Sequence, residues 1–284
     1  MRLGNRRRIW HHLPMPGADT RKRGRAAKLA AQAMQLALAV LVAHGAGSSP
    51  AMAAKSAPRT APAQVEVQVT LCAPPDEIVR ALDLKGSGAA LQVWLFDDDA
   101  LSQYARGLRF RLRMSGDRGE LTLKVADQDC TQMKAEHVPR GEGKCEYDLH
   151  GDRVAGAVSL ATEVDAARAQ SLREGRAPLA QSLSAAQIRF LREAVHAWPL
   201  PDGLRALGPI EVLRYRTADK RYDVDVSRLP GGERYAEIAR KVARADVERE
   251  HGALLAYLKG AGVAACADQS AQAADKLRAL LRRR

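Results

Sequence analysis

Apolar and charged side chains alternate with a period of two in several separate stretches of this chain, the pattern of a β-strand with one buried face. In residues 65–71, Val65, Val67, Val69 and Leu71 fall on one side and Glu66, Gln68 and Thr70 on the other. In residues 108–114, Leu108, Phe110, Leu112 and Met114 oppose Arg109, Arg111 and Arg113, and after the turn Ser-Gly-Asp-Arg-Gly, Leu121, Leu123 and Val125 oppose Glu120, Thr122 and Lys124. These two segments read as a hairpin. The alternation continues in residues 144–150, where Lys144, Glu146, Asp148 and His150 share a face, and around the turn Thr-Ala-Asp-Lys, where Arg214 and Arg216 share one. Residues 91–96 are an almost unbroken apolar run ending in Asp97, Asp98 and Asp99, read as a strand leading into a turn and helix N-cap.

Helical patterns lie between and after the strands, at 74–82, 163–174, 184–198 with Ser184 as N-cap, 242–259 and about 272–281. The class is therefore α+β with an antiparallel sheet. A sheet whose strands all carry charge on one face has two structural solutions. It can remain open with a solvated outer face, or close into a barrel with a polar lumen and helices over its apolar outside. What favours the barrel is the concentration of charge: Arg109, Arg111, Arg113, Lys124, Lys144, Arg214 and Arg216 would converge with Glu66, Glu146, Asp148, Asp223, Asp225 and Glu237. Charges enclosed in this way must pair or hold a ligand. Guanidinium forks suit phosphate oxygens, and neighbouring carboxylates suit a hard divalent cation such as Mg2+ or Mn2+.

The first 53 residues read as a signal peptide. Arg21, Lys22, Arg23, Arg25 and Lys28 precede an apolar stretch from Leu29 to about Val42, and Ala51-Met52-Ala53 has the small-x-small form of a cleavage site. Gln32, Gln35 and His44 interrupt the run, so it predicts cleavage and no retained membrane span. Residues 54–64, small, polar and rich in proline, read as a flexible tether, and 65–284 as a single domain. The formal net charge of +12 falls to +4 beyond residue 53, because the first 53 residues carry nine Lys or Arg and one acid. No nucleic-acid partner is therefore expected. Four cysteines in an exported chain predict two disulfides, Cys130–Cys145 and Cys72–Cys266 being the preferred pairing, and a periplasmic or secreted location.

Taken together, the segment order resembles the CYTH superfamily, the triphosphate tunnel metalloenzymes. The resemblance is sharpest in LQVWLFDDDALSQYARGLRFRLRMSGDRGELTLKV, residues 91–125, and extends more weakly from 65 to about 263. It implies a helix-covered β-tunnel in which Arg109, Arg111, Lys124, Arg214 and Arg216 grip a triphosphate. Glu66, Glu146 and Glu237 would be the metal ligands by the same resemblance. The Glu-x-Glu-x-Lys pattern of the family's first strand stands here as Glu66, Val67, Gln68, Val69, Thr70, without its second carboxylate and its lysine, and Glu237 is followed at the next inward position by Ala239. Fewer carboxylates predict weaker Mg2+ or Mn2+ binding and altered or lost hydrolysis. The expected function is binding of an anionic small molecule or polyphosphate by an exported protein. The alternatives are a divergent metal-dependent triphosphatase or polyphosphatase, and a non-enzymatic envelope interaction module.

Overall fold

The computed structural model describes residues 64–86, 90–133, 136–138, 143–150, 153–269 and 271–282. The expected signal peptide and residues 54–63 of the expected tether lie outside them, and Gln64, assigned above to the tether, already belongs to the first strand.

The elements in chain order are β1 (Gln64–Leu71), α1 (Pro75–Ala81), β2 (Leu91–Asp97), α2 (Ser102–Ala105), β3 (Leu108–Ser115), β4 (Arg118–Ala126), β5 (Gly143–His150), β6 (Arg153–Val164), α3 (Ala166–Arg173), α4 (Ala185–Glu193), β7 (Arg205–Arg216), β8 (Asp223–Arg228), β9 (Arg234–Ala243), α5 (Val247–Gly260) and α6 (Ala271–Leu281). Among the described residues the strands form one closed barrel in the order β1-β5-β6-β4-β3-β2-β7-β8-β9, with β9 returning to β1. Closure decides between the two sheets that the alternation allowed. Since paired residues share a face, Glu66 beside Lys241, Arg111 beside Thr122 and Asp225 beside Arg214 all turn to the inside.

The outward apolar faces are covered as a polar lumen requires. Phe110, Leu112, Leu121, Leu123 and Leu160 pack with Leu172, Phe190 and Leu191 of α3 and α4. On the opposite side Val65, Val67, Val224 and Ile238 pack with Ile78, Leu254 and Leu258 of α1 and α5. α4 is fixed to the barrel by one side chain. Ser184 Oγ accepts from Gln187 N at 3.2 Å and Gln187 Oε1 accepts from Ser184 N at 2.9 Å, a capping box. Gln187 Nε2 also donates to Leu121 O at 3.0 Å and Leu160 O at 2.9 Å, carbonyls on two neighbouring strands. Gln187→Met keeps the volume but leaves these carbonyls and Ser184 N without their side-chain partner, so denaturant titration should find a loss of about 2 to 4 kcal/mol.

Three sequence expectations are corrected. The sheet is not wholly antiparallel: β1 runs parallel to β5, because the first strand closes the seam between β5 and β9. Residues 163–164 and 242–243 end strands where helices were expected, and the helices begin at Ala166 and Val247. A whole strand, β6, was missed, because its inward positions Ala155, Ala157, Ser159 and Ala161 carry no charge to mark the alternation. Its glycine is needed there, since Gln128 N donates to Gly156 O at 2.9 Å and a Cβ on Gly156 would stand 2.0 Å from Gln128 O. Both expected disulfides form, Cys72–Cys266 and Cys130–Cys145, and the described residues contain no free cysteine.

Candidate functional site: two chambers in the barrel lumen

The inner wall divides into two chambers that share Arg111 and Arg113. The larger, about 470 Å³, is bounded by β1, β3, β4, β5, β6 and β9. There the cations Arg111, Arg113, Lys124, Lys144 and Lys241 face the carboxylates Glu66, Glu120 and Glu146, and Gly143, Ser159 and Ala161 leave the space between them. The smaller, about 170 Å³, lies toward β2, β7, β8 and β9 with Arg214, Asp225, Glu237 and Lys276 in its lining. Lys276 belongs to α6, which folds against the inward side of β2 and β7: Leu277 and Leu280 pack with Val93, Leu207 and Ile210.

Nearly every charge in these chambers has a partner of opposite sign. Lys124 Nζ meets Asp148 Oδ2 at 2.7 Å, Arg113 lies 3.6 Å from Glu120, and Arg214 binds Asp225 through two nitrogens at 2.9 and 3.1 Å. Glu146 is taken on both oxygens, by Lys144 at 3.0 Å and Lys241 at 3.2 Å, and Glu237 lies 3.5 Å from Lys276. Arg111 is the exception among the cations. Among the described residues it makes no ion pair or hydrogen bond, and its Nε is fully buried without a partner. Burial, followed by the neighbouring Arg113, lowers its pKa to about 10. A buried charge left unpaired is costly. This guanidinium has the position and the spare donors to receive an anion from the cavity.

The carboxylates differ in state. Burial, then the adjacent charges of Asp148 and Glu146, raises the Glu66 carboxyl above its ordinary value of 4.5, against the opposing pull of Lys241 and Lys124. Glu146 is held below its ordinary value: burial works the other way, but the bond to Lys144 and the charges of Lys144 and Lys241 outweigh it. The sign for Glu66 follows directly. The folded state binds its proton more tightly than the unfolded chain, so stability falls as pH rises from about 4.5 through the raised folded pKa. Anion affinity should change in the same sense, because protonation removes a negative charge from the chamber. Sulfate, which does not titrate in this range, should bind more tightly as pH falls from neutral. Calorimetry on Glu66→Gln should find that pH dependence flattened, and an unchanged slope would dissociate Glu66 from the anion site.

The expected site residues do not all meet. Arg111, Lys124, Glu66 and Glu146 share the larger chamber, whereas Arg214 and Glu237 line the smaller one. Arg109 is turned back toward α2, donating to Tyr104 O at 2.8 Å and Leu108 O at 3.1 Å with its guanidinium 3.5 Å from the centre of the Tyr104 ring. Arg216 is 62% exposed on Asp223 at 2.7 Å. Neither lines either chamber. The Asp-rich turn is a structural cap, and its first member is buried: Asp97 accepts from the backbone N–H groups of Asp98, Gln103 and Tyr104. Lys241 was missed, although the alternation of Tyr235, Glu237, Ala239 and Lys241 along β9 places it inward. Nothing in the periodicity of residues 271–281 signals that Lys276 enters the lumen.

No family model and no curated protein matches the chain. Solved structures do. One is a protein of Hippeastrum described as an adenylyl cyclase with a dominant triphosphatase activity, at 18% identity and a TM-score of 0.49, covering 75% of this chain and 94% of its own. A second, from Bacillus halodurans and described as an adenylate cyclase, is 13% identical with a TM-score of 0.45 over 72% of this chain and 94% of its own. A third is a protein of Pyrococcus horikoshii, at 12% identity and a TM-score of 0.39, covering 70% and 91%.

Proposed function

We propose that the chain is an exported tunnel protein of CYTH type that binds a phosphate-rich anion in the larger chamber, with hydrolysis altered or lost. The observation that carries this reading is Arg111, an unpaired guanidinium with a buried Nε, flanked by Arg113 and within a chamber where five cations face three carboxylates. Phosphate oxygens match such a fork in charge and spacing. A chamber of about 470 Å³ is large enough for a short phosphate chain. Altered hydrolysis is the expectation from Gln68 and Thr70, which supply neither a second carboxylate nor a cation on β1. Export is supported by the leader-like residues before Ala54 and by the two disulfides, a pattern that belongs to oxidising compartments.

Titrating the full chain, disulfides intact, with tripolyphosphate while recording heat and thermal stabilisation tests the binding. Saturable one-site binding with a raised Tm is the expected result. Phosphate release measured in parallel with Mn2+ present should stay at the rate of the protein-free control. Steady release would make the protein a phosphohydrolase, whereas neither binding nor release would leave the charges as internal salt bridges of an interaction module.

A further inference from the structure

The three acids expected to hold a divalent cation are not placed to do so. Glu66 and Glu146 lie in one chamber and Glu237 in the other, and the described residues contain no group of three or more His, Cys, Asp or Glu able to hold a metal ion. We infer that lysines occupy the carboxylates a divalent cation would use, Lys144 and Lys241 on Glu146 and, in the adjoining chamber, Lys276 on Glu237, so that the larger chamber takes its phosphate-rich anion without metal. The inference rests on the anion-binding reading above and adds how the anion's charge is met.

Three observations converge. Both oxygens of Glu146 are occupied, Oε1 by Lys144 Nζ at 3.0 Å and Oε2 by Lys241 Nζ at 3.2 Å, so a metal ion would have to displace an ammonium group from either one. Lys276 is only 13% exposed, and its ammonium lies 3.5 Å from Glu237 Oε1 and 5.4 Å from the centre of the Tyr235 ring, held between a carboxylate and a π face. Its position is also fixed by the rest of its helix and the segment before it. Leu277 and Leu280 pack α6 onto β2 and β7, and Cys266, five residues before the helix starts, is bonded to Cys72 just beyond the end of β1. An ammonium group donates up to three hydrogen bonds, so a lysine bound to a carboxylate still has donors for a phosphate oxygen. It thereby joins two anions, as a bridging metal ion does, with a single positive charge supplied by the chain itself.

The experiment uses the full chain with both disulfides formed and two probes, Mn2+ alone and tripolyphosphate in excess EDTA. Tripolyphosphate should bind in EDTA, and Mn2+ alone should neither bind in the micromolar range nor raise the Tm. Lys241→Met should weaken tripolyphosphate binding in EDTA by about tenfold, the equivalent of ~1.4 kcal/mol, and should admit Mn2+ to the Glu66 and Glu146 carboxylates. Micromolar Mn2+ binding by the unaltered chain, or tripolyphosphate binding that disappears in EDTA, would overturn the inference even if the variant fails to fold. Tripolyphosphate that binds in neither EDTA nor Mn2+ would overturn the anion reading itself, and this inference with it.

Discussion

Replacing Arg111 with methionine should lower tripolyphosphate affinity about 100-fold, some 2.7 kcal/mol, while leaving the folded chain at least as stable as before. The binding loss follows from removing a charge-assisted hydrogen bond at the position where the wall offers one unpaired, worth roughly 1.5 to 3 kcal/mol. The stability result follows from the same observation with opposite sign. Arg111 has no internal partner, so the substitution breaks no ion pair and removes a desolvated charge that burial and Arg113 already disfavour. Calorimetry and urea denaturation measure the two quantities separately. Arg216→Ala is the control: the side chain is 62% exposed on Asp223, away from both chambers, and its loss should change affinity by less than about twofold. If Arg111→Met unfolds the chain, or binds the anion as before, the guanidinium is structural and the site lies elsewhere.

The largest stability effect should come from unlinking the first strand from the C-terminal segment. Cys72→Ser with Cys266→Ser opens a loop of 194 residues, which loop-closure entropy values at about 5 kcal/mol. The equivalent change at Cys130 and Cys145 opens a loop of 15 residues, about 3 kcal/mol. Denaturant midpoints of the two double variants should fall in that order. The reverse order would mean that the hydrogen bonds of Cys266 and Gln269 with Thr70, including Cys266 N donating to Thr70 O at 2.9 Å, hold the C-terminal segment without the covalent link.

How far the fold could be read in advance depended on side-chain contrast. The β3–β4 pair was legible because every inward residue from Arg109 to Arg113 and from Glu120 to Lys124 is polar and every outward one apolar. β6 was not, because alanine and serine on its inner face look like the aliphatic residues on its outer one. The parallel seam was invisible for a different reason: alternation reports which face a residue occupies and carries nothing about which strand lies beside it. Site residues followed the same rule. Arg111 and Lys124 were located by period, but Arg109 shares that period and was claimed instead by the α2 backbone and Tyr104. Lys276 lies on a helix, where the strand pattern is silent.

Because β1 is seated between β5 and β9, the first strand of the barrel finds its second neighbour only when the ninth arrives. Until residues 234–243 are in place the cylinder has an unsealed slot, with the edges of the first and eighth strands bare. Closure of the barrel must therefore wait for β9. Any truncation upstream of residue 243 should yield a chain with free β-edges prone to aggregate, not a smaller soluble barrel.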